Sequence, residues 1–385
     1  MTPKIKVLQV IPKLGYGGAE TGCYDIAHYL AEKNCKSFIA TSGGQLLKFV
    51  KRNKVKIFRL PVHSKNPFVI FLNAIILTIL ILINNINIVH ARSRAPAWAC
   101  YFACFITGRN FITTFHGTYN FNSKIKLFYN SVMLRSKLTI AGSNFIFNHI
   151  NKNYNQYLNR KKKLRVIFRG INVDHYNKKN ISILNQEKLK QEWELYPNKF
   201  TILMPGRLTQ WKGQEIFIEA LNILVEDYNC TNFQAIILGS DQGRKVYKKK
   251  LNNLVQRYRL NQKIKFIDGC REIPTAYSLS DVIVSASIEP EAFGRVAVEA
   301  QAMEKPIIAS NLGGSQETIL NRKSGFLYKH NDPRELAKTL NTVIELDQDA
   351  LNSIGNEGRK NILKKFDVEA MCDSTLREYK KLLNI

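Results

Sequence analysis

The sequence predicts an α/β protein built on doubly wound parallel sheets, and three observations predict it. The chain opens with an apolar strand at residues 5–11, a glycine-containing loop at 12–18 and a helix starting near Ala19. Strand, glycine loop and helix form the opening unit of a doubly wound sheet. Short apolar runs at 37–41, 57–60, 86–90, 111–115 and 138–141 then alternate with longer helical segments. The alternation starts afresh after Asn198, which is the pattern of a second domain of the same class.

In that second series, residues 200–204 read as a strand ending at a Gly-Arg turn, and 214–225 as a helix. A strand at 233–238, a helix at 247–258 and strands at 264–267, 282–286 and 306–310 follow. The basic run Arg160-Lys161-Lys162-Lys163 and the polar stretch 176–187 suggest the boundary region. A last helix at about 367–383 carries apolar positions at Met371, Leu376, Tyr379 and Leu383. A chain of 385 residues is long enough for two domains of roughly 150–200 residues each.

Charge is distributed unevenly. The net charge is +27. Residues 1–178 hold 27 Lys and Arg against 4 Asp and Glu, a net of +23, and the remainder holds 30 against 26, a net of +4. No acid occurs between Glu32 and Asp174. AT-rich codons account for many lysines but not for acids vanishing from one half, so a basic face toward an anionic surface is expected. Nucleic acid is the weaker partner, because zinc spacing and an aromatic RNA-binding motif are both missing. Seven cysteines without a metal spacing fit a reducing cytoplasm. The N-terminus lacks the long apolar region of an export signal. Residues 68–83 are almost entirely apolar, yet a spanning helix needs about 20 such residues. A buried or membrane-apposed helix is expected there.

The chemistry concentrates in the second half. Gly206-Arg207-Leu208-Thr209-Gln210-Trp211-Lys212-Gly213 puts two cations on a glycine-bounded turn at a strand end, where open α/β sheets bind ligands. Glu291 and Glu299, in Glu289-Pro290-Glu291-Ala292-Phe293-Gly294-Arg295-Val296-Ala297-Val298-Glu299, flank the start of a predicted helix. Carboxylates beside a helix N-terminus accept hydrogen bonds from sugar hydroxyls, and the N–H groups attract anions. Cations for a diphosphate and carboxylates for a polyol together suit a nucleotide sugar. Gly269 and Arg271–Ile273, at another strand end, are candidates for the base pocket. In the first half, Gly17 and Gly18 permit close backbone approach to a phosphate or acceptor, and Glu20 is placed to anchor that loop. His116 follows an apolar strand and precedes a glycine, and His90–Arg94 and Ser143 are weaker candidates at strand ends.

Four features in this order resemble the family 4 glycosyltransferases: Gly17-Gly18-Ala19-Glu20, the Gly206–Gly213 turn, the Glu291/Glu299 pair and Gly313-Gly314-Ser315-Gln316-Glu317-Thr318. The resemblance implies a GT-B fold, two Rossmann-like domains facing a central cleft. It implies an acceptor-side domain at 1–175, a nucleotide-sugar domain at 176–366 and a helix at 367–385 crossing back to the first domain. Arg169-Gly170-Ile171-Asn172 stands where the family has a turn between domains. By resemblance, Arg207 and Lys212 hold the donor diphosphate, and Gly17, Gly18 and Gly206 count among the donor-binding residues. Glu299 grips ribose, and Glu291 meets the donor sugar with the backbone of Phe293 and Gly294; Arg295 follows in the same loop. His116 hydrogen-bonds in the transition state. The implied reaction is transfer with retention of configuration, without a metal or other cofactor, from a nucleotide sugar to a lipid-linked or envelope glycan acceptor on the cytoplasmic face of the membrane. A nucleotide-sugar 2-epimerase on the same fold is the alternative enzyme.

Overall fold

The computed structural model describes residues 5–119, 122–158 and 163–385. Asn120 and Phe121, in the basic and apolar segment after His116, and Arg160, Lys161 and Lys162 of the basic run lie outside the described residues. The chain divides into two compact units, one of residues 1–170 with 368–385 and one of 171–367.

The first unit is a parallel sheet with helices between its strands. Its strands are β1 (Lys6–Val10), β2 (Lys36–Thr41), β3 (Val55–Arg59), β4 (Ile88–Ala91), β5 (Asn110–Phe115), β6 (Leu138–Ala141) and β7 (Lys163–Val166). They lie in the order β3-β2-β1-β4-β5-β6-β7. The helices are α1 (Gly18–Glu32), α2 (Pro67–Ile83), α3 (Arg94–Thr107), α4 (Lys124–Ser131) and α5 (Asn144–Tyr154). From β1 the chain winds one way across the sheet, and from β4 it winds the other. The switch point therefore lies between β1 and β4, and the loops after these two strands open side by side.

The second unit repeats the plan. Helix α6 (Ile183–Glu192) precedes β8 (Phe200–Pro205), α7 (Gln214–Glu226), β9 (Phe233–Leu238), α8 (Lys245–Arg257), β10 (Ile264–Ile267) and α9 (Ile273–Ser278). Then come β11 (Val282–Ser285), α10 (Arg295–Ala302), β12 (Ile307–Ser310), α11 (Ser315–Thr318), β13 (Phe326–Tyr328), α12 (Pro333–Ile344) and α13 (Gln348–Lys365). The sheet order is β10-β9-β8-β11-β12-β13, all parallel. Its switch point lies between β8 and β11. The central strands are buried along their length, as sheets covered on both faces require, and Ile202, Ile237, Val284 and Ile308 meet Phe217, Leu221 and Leu340 in one core.

The last helix, α14 (Val368–Leu383), belongs to the first unit. Met371, Cys372, Leu376 and Tyr379 join Val7, Ile26, Leu30 and Ile140 in a core cluster. Tyr379 is fully buried, and its hydroxyl lies 2.6 Å from Nδ1 of buried His90, whose Nε2 meets Thr114 Oγ1 at 2.7 Å. Burial, with the nearby charges of Arg92 and His116, holds this imidazole well below its usual range, so it stays neutral. His90 thus anchors the last helix to the sheet and is not an open cleft residue. Replacing Tyr379 by Ala should destabilise the first unit by about 3–5 kcal/mol through loss of packing. Tyr379→Phe leaves one nitrogen of His90 unpaired and should cost about 1–3 kcal/mol. Urea unfolding followed by circular dichroism measures both, and equal losses would mean that the hydroxyl, not the ring, supplies the anchor.

Candidate functional site

In the second unit the loops after β8 and β11 meet at the switch point. The loop after β8 is bounded by Gly206, at φ +155°, and Gly213, at φ +74°. A Cβ on Gly213 would lie 1.9 Å from the carbonyl oxygen of Ala286, just past β11. Only glycine lets the two loops close to this distance. The Ile288 N–H donates to the Trp211 carbonyl at 2.9 Å, locking the loops together. Gln214 Nε2 holds the carbonyl of Arg207 at 3.0 Å, and Tyr247 braces Gln214 in turn. Arg207 itself is exposed.

Lys212 is spent differently. Its ammonium donates to Glu291 Oε1 at 2.7 Å, and the Ser287 hydroxyl donates to the same oxygen at 2.6 Å. Both partners of the ion pair are nearly buried, at 13% and 11% side-chain exposure. Burial alone would raise the Glu291 carboxyl, but the Lys212 charge and hydrogen bond, the Ser287 bond and the charge of Arg207 outweigh it and lower the pKa. Glu291 is therefore a fixed carboxylate with both of these bonds on one oxygen.

The backbone around Glu291 is braced from the next strand's loop. The Gly314 N–H donates to the Glu291 carbonyl at 2.7 Å. A Cβ on Gly313 would sit 2.6 Å from that carbonyl oxygen, and one on Gly314 would sit 2.5 Å from the carbonyl carbon of Phe293. The Gly-Gly pair after β12 is thus needed for close approach of two backbones. Phe293 is buried and packs edge-on against Phe366, with ring centroids 5.7 Å apart. Gly294 starts α10 in the left-handed region, at φ +77°.

Glu299 lies within α10 and is 7% exposed. Its Oε1 accepts from Tyr176 at 2.8 Å and from Arg295 Nε at 2.5 Å, and its Oε2 accepts from Tyr277 at 2.9 Å. Burial and the Glu299 charge push both phenols well above their ordinary value, so both remain donors. Arg295 is thereby committed to Glu299. Gly269 is exposed in the loop after the edge strand β10, and Ile273 begins α9. That short helix delivers Tyr277 to Glu299, which links the base-pocket candidates to this carboxylate.

In the first unit, Gly17 precedes α1 without a side-chain cap. A Cβ on Gly17 would meet the Glu20 carboxylate at 2.3 Å, and one on Gly18 would meet the Arg169 guanidinium at 2.1 Å. Arg169 also packs along Gly142, after β6. His116 directly follows β5, and neither of its buried ring nitrogens has a hydrogen-bond partner. Burial, then the charges of Arg169 and Arg92, hold it well below its usual range. It is a neutral imidazole with unused hydrogen-bonding capacity beside fixed cations. Arg92 is buried and donates to Gln9 Oε1 at 3.0 Å, and Ser143 caps α5 through the Ile146 N–H at 3.2 Å. Both are structural here.

Sequence reading missed Ser287, Tyr176 and Tyr277 as parts of these clusters, because nothing in their spacing marks them, and it marked Arg169 only as part of a turn. It also passed over an Asp-x-Asp triplet, Asp347-Gln348-Asp349. Asp347 is the cap of α13, accepting from the Ala350 N–H at 2.8 Å. Among the described residues, no group of three or more His, Cys, Asp or Glu side chains is arranged to hold a metal.

Comparison with known proteins covers both units. Residues 185–361 match the family described as glycosyl transferases group 1, and residues 16–175 match Glycosyltransferase Family 4. The chain is 36% identical to a glycosyltransferase from Rickettsia africae ESF-5, covering 99% of each chain with a TM-score of 0.90. It is 25% identical to Anabaena Alr3699/HepE, whose structure holds UDP and glucose, over 98% of this chain and 100% of the other, with a TM-score of 0.82. It is 27% identical over 210 residues to the capsular polysaccharide biosynthesis glycosyltransferase CapM of Staphylococcus aureus, 51% of this chain and 52% of that protein. The chain spans about half the length of the curated relatives it matches.

Because its folded pKa is lowered, Glu291 contributes stability that is present above the ordinary carboxylate value and is lost as pH falls through the lowered one. Ser287→Ala removes one bond to the charged form. The Glu291 carboxyl should then titrate at higher pH, read by carbon NMR, with a stability loss of about 1.5–3 kcal/mol at neutral pH. An unmoved titration would show that the Lys212 and Arg207 cations set the charge without Ser287.

Proposed function

Because the chain belongs to the family 4 glycosyltransferases and has their GT-B fold, we propose that it moves a sugar from a nucleotide-sugar donor to a lipid-linked or cell-envelope glycan acceptor. The transfer retains anomeric configuration and needs no metal. The observation that carries this reading is the switch point of the second unit, where exposed Arg207 stands beside the buried Lys212–Glu291 pair.

The chemistry follows from that arrangement. Departure of the sugar breaks the bond between C1 and the phosphate oxygen and leaves negative charge on a nucleoside diphosphate. Arg207 stabilises that growing charge, with Lys212 as a second fixed cation and the backbone at Gly206 beside them. Glu291 receives a sugar hydroxyl on Oε2, since Lys212 and Ser287 both occupy Oε1. The N–H groups near Phe293 and Gly294 meet the sugar's other oxygens. A carboxylate offers about four acceptor positions, and Tyr176, Tyr277 and Arg295 use three on Glu299. The fourth accepts a ribose hydroxyl, with the base beside Gly269 and Ile273. The acceptor hydroxyl attacks C1 from the face the diphosphate leaves, and its proton passes to the departing phosphate oxygen. His116, held neutral, hydrogen-bonds to the sugar and its phosphate as the bond breaks.

The basic first unit favours an anionic membrane surface, and the inner face of the cell membrane is where a lipid-linked acceptor would be met. An epimerase on the same fold would instead release the donor sugar inverted at C2. Nucleic acid remains the least suited partner.

Arg207→Ala should lower turnover by about two powers of ten while the protein stays folded. Steady-state transfer from the uridine, guanosine or adenosine diphosphate sugar that raises the melting temperature most is the assay. Near-normal turnover would remove Arg207 from the mechanism. Wild-type transfer should also survive EDTA, and loss restored by magnesium or manganese would contradict the metal-free scheme.

A further inference from the structure

Helix α2 carries two apolar stripes. One faces inward and includes Ile70, Ala74, Leu77 and Ile81. The other is exposed, with Phe68, Phe71, Ile75, Ile79, Leu82 and Ile83 at 67, 60, 43, 49, 57 and 76% accessibility. These positions recur at helical spacing, so they share one face. A helix that is apolar all round belongs in a core or among acyl chains. Here the inward side is satisfied and the outer side is not.

The face continues onto α3. Arg109, just past α3, donates to Asn85 Oδ1 at 3.1 Å, just past α2, so the two helices end side by side. At that end α3 exposes Phe105 and Ile106, at 80 and 66%. Soluble monomers rarely expose a contiguous apolar patch above a few hundred Å². With 17 residues in α2, no described helix is long and apolar enough to cross a membrane.

Charge identifies the occupant. Lys56 and Lys65 are exposed close to α2 in sequence, Lys56 reaching Asn84 Oδ1 at 3.5 Å, and Lys124 and Lys126 are exposed on α4. The 141 residues between Glu32 and Asp174 contain no acid. A second copy of this chain would bring two basic rims together, which like charge opposes. An anionic leaflet offers negative headgroups to the rim and hydrocarbon to the stripe.

We propose that the outer face of α2, with the end of α3, lies in the plane of an anionic bilayer and inserts among its acyl chains. This deepens the membrane reading above and rests on it, but it adds a distinct component. Charge attraction alone is screened by salt, whereas buried apolar surface is not.

The test is flotation of the full chain with vesicles of phosphatidylglycerol and phosphatidylcholine at low and high salt. A substantial fraction of wild type should stay bound at high salt. Phe71→Glu combined with Ile79→Glu should weaken that salt-resistant binding by roughly a hundredfold. Ile75→Glu combined with Ile106→Glu, which also changes only exposed positions, should do the same. Both variants should keep the wild-type thermal shift with nucleoside diphosphate. Binding at low salt that vanishes at high salt would overturn insertion while leaving electrostatic docking standing. No binding at either salt would overturn both. A concentration-dependent wild-type dimer in sedimentation, abolished by the glutamate pairs, would assign the face to a second copy instead.

Discussion

The buried ion pair between Lys212 and Glu291 is the constraint on which the second unit's site depends. It joins the loop after β8 to the loop after β11, the two that open at the switch point of the sheet. A nearly buried carboxylate without a partner would be costly, and breaking such a pair from one side typically costs about 3–5 kcal/mol. The surrounding architecture keeps the pair in register. Gly213 lets the loops touch, the Ile288 N–H fixes their spacing, and Gly313 and Gly314 press the Glu291 backbone into place. Ser287 then selects which carboxylate oxygen is used internally.

Glu299 shows a different solution to the same problem. Its charge is compensated by Arg295 one helical turn away and by two phenols that burial keeps protonated. One carboxylate is thus tied to a loop cation and the other to its own helix and to Tyr277 of α9. These two networks rigidify opposite ends of the same short segment, 291–299. Preorganisation of this kind is how fixed groups act on a developing charge without reorganising during the reaction.

Much of this was legible in the sequence. The strands at 138–141, 233–238 and 264–267 have the expected bounds, because continuous apolar runs between turn signals are a strong pattern. β7 and β13 were not seen. The first is a partly exposed edge strand with a basic residue at every second position, and the second has only three residues. Arg207, Lys212, Glu291 and Glu299 stood out because charged residues beside glycines at strand ends are informative. Their partners did not. Ser287 is an ordinary serine in a run of small residues, and Tyr176 reaches Glu299 across 123 positions of sequence. Long-range side-chain pairing is a tertiary fact that no local pattern encodes. His90 illustrates the converse. Its strand-end position resembled a cleft residue, yet the unseen Tyr379 contact makes it part of the core.

The central claim is that the switch-point residues drive transfer of a sugar with its configuration kept. It is tested most directly by incubating the protein with its preferred nucleotide sugar, a lipid-linked acceptor and EDTA, and assigning the product's anomeric carbon by NMR. The account predicts a glycosidic product with the donor's configuration, made by wild type and lost in Glu291→Ala. An inverted linkage, or a donor sugar released and epimerised at C2 with no acceptor modified, would contradict it.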